Sequence, residues 1–286
     1  MSSPLIYLYV PGDRPERFGK ATASGTDAVV LDLEDAVPVA AKDSARIAVG
    51  TWLEKRDPAG VPTWVRVNPG AGLLDDLTMA VRCGADGIWL PKCDDRATLD
   101  RVDRMLTDLE AAEGRPRTPV SPLIETGAGL VNAPAIAGGP RVEFVQIGEV
   151  DLAADLGVSA VVGDELLWAR SQVVAASAAA RIRPPLAAAS PVIDNPASFE
   201  TETRRLTGLG FFGRACIHPR QIASARTGLA PTAAEVDTAV DVLAAFDAAG
   251  NGAATDSAGR LIDEAVARIA RRTLARRFGS PRTTFL

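Results

Sequence analysis

The sequence predicts a (β/α)8 barrel, and three observations carry that prediction. Short apolar, strand-like runs alternate with helix-spaced segments along almost the whole chain. That is the pattern of a parallel sheet whose strands are joined by crossover helices. The runs are apolar nearly throughout, as strands buried on both faces are. Acidic residues stand where the runs end: Glu34 and Asp35 after AVVLDL, Glu125 after VSPLI, Asp151 just beyond EFVQIG, and Asp194 after SPVI. Asp263 follows GRLI near the C-terminus. Carboxylates at the carboxyl ends of successive strands converge on one mouth, where such a barrel builds its active site. A barrel takes roughly 250 residues. A chain of 286 therefore holds one barrel and an appendix.

The elements follow in order. LIYLYV (5–10) reads as the first strand, followed by a helix over 14–24. Pro15 falls in its first turn, where a missing N–H costs nothing. DAVVLDL (27–33) is the second strand, and the segment after Pro38 to Leu53 has helical spacing. TWVRV (63–67) is the third strand, with a helix over 73–83; GIWLP (87–91) is the fourth, with a helix over 95–113. VSPLI (120–124) and VEFVQI (142–147) are the fifth and sixth, trailed by helices over 128–137 and 164–180. PLAAASPVI (185–193), a helix over 196–209 and GFFGRACI (210–217) complete the barrel.

From about Pro231 the chain reads as helical. NGAATDSAG (251–259) reads as a hinge, and the apolar residues 262, 265, 266, 269, 270 and 274 beyond it have helical spacing. The expected organisation is a barrel over 1–230 and a helical extension over 231–286. The extension could be a lid or an arm onto a neighbouring subunit, or a helix packed on its own barrel. The closing SPRTTFL is the one stretch that reads as disordered.

Composition excludes some functions. A net charge of −5 argues against nucleic acid as the main partner. The N-terminus lacks the basic and long apolar regions of a signal peptide. No run approaches the roughly 18 apolar residues of a membrane span. Cys83, Cys93 and Cys216 are few, odd in number and without CxxC spacing, so reduced thiols in the cytoplasm are expected. No GxGxxG supports a redox cofactor.

Glu125 and Asp151 form the leading chemical pair. They lie 26 residues apart, close to one βα period. They would stand at equivalent ends of adjacent strands, about 4.8 Å apart. Carboxylates that close repel unless a proton or cation sits between them. With no His or Cys nearby in sequence, an oxygen shell selects Mg2+ or Mn2+ over Zn2+. The alternative is that each caps the helix that follows. Gly127, Gly129 and Gly148 would let a ligand approach the backbone. Arg66, ending the third strand, suits a carboxylate or a developing enolate oxygen. It would also suit a salt bridge to Glu34 or Asp35, and both can hold. Lys92 could form a Schiff base, but a charge partner for Glu34 or Asp35 is the better reading. His218, the only histidine, reads as structural. Arg14, Arg17, Lys20 and Lys42 cluster after the first two strands; they would suit a phosphorylated ligand or a solvated face.

Read in order, YVPGDRPERF, VVLDLEDAV, VRVNP, LPK, IETGAG, GEVDLAADLG, GFFGRACIHPRQI and GRLID resemble the landmarks of one group. This is the citrate lyase β-subunit-like (CitE-like) branch of the HpcH/HpaI aldolase superfamily, which includes citramalyl-CoA and malyl-CoA lyases. The resemblance implies a (β/α)8 barrel, a homotrimer or a multiple of it, and Mg2+. It implies Glu125 and Asp151 as metal ligands, with Glu125 and Arg66 binding substrate. It places Tyr9, Lys20 and Lys42 near positions that contact CoA or substrate, and Asp263 as an aspartate reaching a neighbour's site. Glu34 and Asp35 join Arg66 and Asp263 as expected catalytic groups. The implied reaction is reversible cleavage of a short 3-hydroxyacyl-CoA into a 2-oxo acid and acyl-CoA, with CoA entering as part of the substrate. The alternatives are a citrate lyase β subunit acting on a carrier-bound citryl thioester, and a metal-dependent 2-oxo-acid aldolase without CoA. A third is a barrel that binds CoA esters without turnover, which Glu125, Asp151 and Arg66 argue against. The chain departs from the usual pattern in three places. ETGAG lacks the arginine of ETARG, the acid of GEVDL stands two residues before Asp151, and Glu264-Ala265 replaces the usual proline. Asp35 stands where the pyruvate-aldolase branch has histidine, which argues against that branch.

Overall fold

The computed structural model describes residues 4–159, 163–250, 252–256 and 259–277. They fall into two compact units, Pro4–Ala225 and the segment from Arg226 onward. In the first, eight parallel strands close into a barrel in sequence order: β1 (Ile6–Pro11), β2 (Ala28–Asp32), β3 (Thr63–Arg66), β4 (Gly87–Leu90), β5 (Val120–Ile124), β6 (Gln146–Ile147), β7 (Leu186–Ala187) and β8 (Gly213–Cys216). Between them run α1 (Phe18–Thr22), α2 (Lys42–Lys55), α3 (Leu73–Cys83), α4 (Arg96–Glu113), α5 (Gly127–Val131), α6 (Ala133–Ala137), α7 (Glu149–Leu156), α8 (Leu167–Ala179) and α9 (Pro196–Leu209). The predicted fold class is therefore the observed one.

The barrel interior is filled by aromatic rings. Tyr7, Trp64, Trp89 and Phe144 are buried together with Val30, Leu123, Leu186 and Ala215. The rings meet edge to face or tilted: Trp89 lies 5.1 Å from Tyr7, 5.4 Å from Trp64 and 5.4 Å from Phe144. Such pairs add stability beyond the area they bury. Four large rings in one layer require a small neighbour. A Cβ at Gly87 would come 2.3 Å from the Trp64 ring, so only glycine fits.

Several boundaries differ from the sequence reading. Strand β7 ends at Ala187, because the backbone beyond it bonds to a side chain instead of a strand. Gln221 donates to the carbonyls of Ser190 and Val192 at 3.0 and 3.2 Å. Asp194 thus stands off the barrel in solvent, 3.4 Å from Arg220, and not at a strand end as expected. Strand β6 pairs only at Gln146 and Ile147; upstream of it, Val142 makes a single bridge to Val120. The helix expected over 128–137 breaks at Asn132, with Pro134 in the first turn of α6. The helix α7 was not foreseen as a separate element. It is eight residues long and closed by Gly157 in the left-handed conformation (φ 69).

In the second unit, α10 (Gln221–Leu229), which begins in the first, leads to α11 (Ala233–Ala248) and α12 (Glu264–Arg277). Thr232 and Glu235 form a reciprocal capping box at the start of α11. Ala239, Val242, Phe246, Ile262, Ala267 and Ala270 make the unit's own core. The segment read as a hinge contains a strand, β9 (Ala254–Thr255), paired antiparallel with β10 (Leu261–Ile262). Residues 251, 257 and 258 of that segment, and SPRTTFL, lie outside the described residues. No helix among the described residues is long and apolar enough to cross a membrane.

The ring layer generates the first prediction. Phe144 is fully buried against Tyr7, Trp64, Trp89 and Phe212. Phe144→Ala should lower unfolding stability by about 4 kcal/mol, measured as a fall in the denaturant midpoint with the slope unchanged.

Candidate active site

The carboxyl ends of β2, β3, β4 and β5 bring one charged network together. Asp32 and Arg66 end neighbouring strands and are partners in the parallel ladder. Arg66 donates from Nε to Asp32 Oδ1 at 2.7 Å and from Nη2 to Oδ2 at 2.5 Å. Its Nη1 lies 2.9 Å from Glu34 Oε2. Asp32 is 1% exposed and Glu34 3%. The expected Arg66–Glu34 bridge is present, and Asp32, which the sequence reading passed over, is the closer partner.

Lys92 joins β4 to the same network. Its Nζ donates to Glu34 Oε1 at 2.6 Å and lies 3.6 Å from Asp35 Oδ1. Its backbone is left-handed (φ 49), a strained conformation for a residue with a side chain. That turn aims its N–H at Glu125 Oε1, 2.6 Å away, while its ammonium returns to Glu34. The charge-partner reading of Lys92 therefore holds. Lys42 donates to the carbonyls of Leu33 and Glu34 at 2.7 and 2.5 Å, tying down the loop after β2.

Glu125 is 2% exposed and lies against Gly148, where a Cβ would come 2.7 Å from that of Glu125. Its Oε1 is taken by Lys92; its Oε2 accepts no hydrogen bond among the described residues. The side chain of Asp151, exposed in the first turn of α7, forms no hydrogen bond or ion pair with a described residue. Its neighbour Glu149 is different. It is buried in a two-point ion pair with Arg170, at 2.7 and 2.6 Å. Tyr9 lies beneath Arg66, whose guanidinium carbon is 5.4 Å from the ring centre, and its hydroxyl donates to Gln146 Oε1 at 2.8 Å. Gln146 is a second buried polar residue of the site that sequence reasoning missed.

Lys20 is exposed at the end of α1 and makes no hydrogen bond or ion pair among the described residues. His218 Nδ1 accepts the Arg220 N–H at 3.1 Å, a turn contact consistent with its structural reading. Asp263, in the second unit, accepts the Val266 N–H at 3.0 Å and caps α12.

Electrostatics distinguishes the carboxylates. Burial raises Glu34 above the usual carboxylate value, against the pull of Arg66 and Lys92. Asp35, despite some burial, is held below it by its hydrogen bond with Glu34 and by Lys92 and Arg66. Burial pushes Glu125 up to about 7, opposed by the Lys92 N–H and reinforced by Glu34 and Asp151. Glu125 and Asp151 are thus close enough to repel and retain unused lone pairs. A divalent cation held by oxygen fits that pair. No group of three His, Cys, Asp or Glu among the described residues could hold a metal. Waters and substrate would complete the shell, as Mg2+ commonly requires.

A family model described as HpcH/HpaI aldolase/citrate lyase matches residues 5–219. A chain named citrate lyase subunit beta from Leuconostoc mesenteroides subsp. cremoris is 34% identical over 282 residues, covering 93% of this chain and 91% of that one. An L-malyl-CoA/beta-methylmalyl-CoA lyase from Cereibacter sphaeroides is 33% identical over 295 residues, covering 90% and 89%. The crystal structure of protein CitE from Mycobacterium tuberculosis, in complex with magnesium, acetoacetate and coenzyme A, superposes with a TM-score of 0.81. It is 31% identical and covers 97% of this chain and 98% of its own.

The position of Glu125 generates a pH prediction. Its value is raised from 4.5 to about 7, so between those values the folded state holds a proton that the unfolded state releases. Its contribution to stability is complete below about pH 4.5 and is lost as pH rises through about 7. In EDTA, the wild type should lose up to about 3 kcal/mol on this account between pH 5 and 8. Glu125→Gln should lose correspondingly less. Melting temperatures of the two proteins across that range check it.

Proposed function

This chain belongs to the HpcH/HpaI aldolase/citrate lyase family, and we propose that it cleaves a short 3-hydroxyacyl-CoA of the malyl-CoA or citramalyl-CoA type. It is an enzyme of the carbon–carbon lyase kind, dependent on Mg2+ and acting on acyl-CoA and 2-oxo-acid substrates. The observation that carries the finer reading is the pairing of two features at one mouth. Arg66 is held by its acid partners with N–H groups to spare, and Glu125 stands beside them with one oxygen uncommitted.

Glu125 and Asp151 would hold the cation. Bound there, Mg2+ supplies Lewis-acid polarisation of the oxygens of the portion that becomes the 2-oxo acid, and a template for them. Glu34, whose value burial raises, with Asp35 beside it, is our candidate to accept the hydroxyl proton as the carbon–carbon bond breaks. The leaving fragment is a thioester enolate, and the free N–H groups of Arg66 stabilise its oxygen or hold the oxo acid. Tyr9 stays protonated, because burial drives its phenol well above its usual value. Its single O–H is already given to Gln146, so Tyr9 would meet a substrate through its ring or its lone pairs and would not remove a proton. Lys42 holds the Glu34 loop, and Lys20 is our candidate to meet the CoA moiety. We assign Asp263, from a neighbouring copy in a homotrimer or its multiple, to proton exchange with the enolate carbon. The chain from 231 onward then serves as lid and assembly arm. The three buried free cysteines support a reducing, cytoplasmic setting.

A second reading is favoured by the Leuconostoc relative: a citrate lyase β subunit acting on a carrier-bound citryl thioester. Assaying the purified protein with Mg2+ on malyl-CoA and citramalyl-CoA, and on a citryl thioester of an acyl-carrier protein, separates the two. Release of glyoxylate or pyruvate from the free CoA esters is the expected outcome. Asp151→Ala should abolish that release while leaving the circular dichroism spectrum unchanged. Full activity of that variant in EDTA would remove the metal role.

The shared-site assignment predicts complementation. Asp263→Ala and Asp151→Ala chains, each folded and inactive alone, should regain part of the activity when co-expressed. No recovery in hybrids confirmed by mass spectrometry would return Asp263 to its own chain or to a purely helix-capping role.

A further inference from the structure

We propose that Asp32 is the positioning residue of this site, fixing both the plane of the Arg66 guanidinium and the loop that carries Glu34 and Asp35. The proposal rests on the lyase reading above and adds a residue that it does not contain. Arginine has five N–H groups. Asp32 takes one from Nε at 2.7 Å and one from Nη2 at 2.5 Å, and Nη1 faces Glu34 at 2.9 Å. One N–H of Nη1 and one of Nη2 are left to meet a substrate oxygen. A two-point fork sets the direction in which they face; a single contact would leave the group free to rotate.

Asp32 has no capacity for a ligand of its own. Besides the two arginine contacts, its Oδ1 accepts the Glu34 N–H at 2.8 Å and its Oδ2 the Ala36 N–H at 3.3 Å. Those four contacts use the roughly four lone-pair sites of a carboxylate. It therefore acts through Arg66 and the loop, not on the reacting atoms. Its own place is set by the sheet: Asp32 and Arg66 are register partners on β2 and β3. Sites carried by strands are held more tightly than sites on loops. The face of the guanidinium is fixed as well, by the Tyr9 ring 5.4 Å away, whose hydroxyl is anchored on Gln146.

The test compares full-length wild type, Asp32→Asn, Asp32→Glu, Arg66→Ala and Asp32→Asn/Arg66→Ala. Each is assayed with Mg2+ on whichever of malyl-CoA and citramalyl-CoA the wild type cleaves, and titrated calorimetrically with Mg2+ alone and with pyruvate plus Mg2+. Asp32→Asn should keep its Mg2+ affinity within about threefold and lose about a hundredfold in kcat/KM, the order expected for a misplaced catalytic group. On the Arg66→Ala background the same change should cost less than about tenfold, because only the loop that carries Glu34 remains to be positioned. Wild-type kcat/KM in Asp32→Asn, or a full hundredfold loss again in the double variant, would overturn the proposal. If Asp32→Asn does not fold, Asp32→Glu keeps the charge but shifts it by one methylene and should show the same loss. Wild-type kinetics in Asp32→Glu would equally overturn it. A wild type that cleaves neither thioester counts against the lyase reading. The positioning role is then read from pyruvate binding, which Asp32→Asn should weaken at least tenfold; unchanged pyruvate affinity overturns it there too.

Discussion

The site is governed by an imbalance of charge on one connected network. Asp32, Glu34, Asp35 and Glu125 bring four carboxylates, and Arg66 and Lys92 bring two cations. Burial makes that excess costly, since charge removed from water must be paired or neutralised. Its consequence is visible at Glu125, whose value is driven to about 7 while Asp35 is held low. Glu125 has one hydrogen-bond partner among the described residues, the Lys92 N–H. A divalent cation would do the same work as a proton there, and more completely. The need for a metal therefore follows from how the other acids are already spent.

Lone-pair accounting separates acids that composition cannot. Asp32 and Glu149 are both buried and both bound at two points by an arginine, Arg66 and Arg170. Asp32 is filled by two further backbone contacts. Glu125 and Asp151 are the acids left open. Nothing in GEVDL marks its first acid as structural and its second as available. The distinction depends on Arg170, twenty-one residues further along, reaching back to Glu149. A pattern of acids at strand ends therefore locates a site, while the partners decide which acids serve it.

Much of this was legible in the chain. Continuous apolar runs with helical spacing between them are sufficient for a closed parallel barrel, and the strand ends correctly place Glu34, Arg66, Lys92 and Glu125. Asp32 escaped notice because it sits inside an apolar run, AVVLDL, where an acid reads as an interruption. Parity was the available signal: residues 30, 32 and 34 share a face in a strand, and Val30 is in the barrel core. Strands β6 and β7 were overestimated for a different reason. Their apolar composition reflects burial, but the side chain of Gln221 takes the backbone bonds that a longer β7 would use. No local sequence pattern reports a partner thirty residues away.

Packing below the mouth sets the electrostatics above it. Tyr9 separates the charged network from the ring layer: Arg66 lies over one side of it, and Trp89 is 5.9 Å away on the interior side. Trp89 then meets Tyr7, Trp64 and Phe144. The floor of the site is thus aromatic and closely packed, and Glu125 and Glu34 above it are almost fully buried. Burial is accordingly the first cause of both raised values. Gly148 completes the arrangement from the wall. With no Cβ, it lets Glu125 lie against the backbone of the next strand's exit, and any larger residue would displace the carboxylate. A floor of rings and one glycine at the wall raise an ordinary glutamate to about 7, on the same network as an arginine held at two points by Asp32.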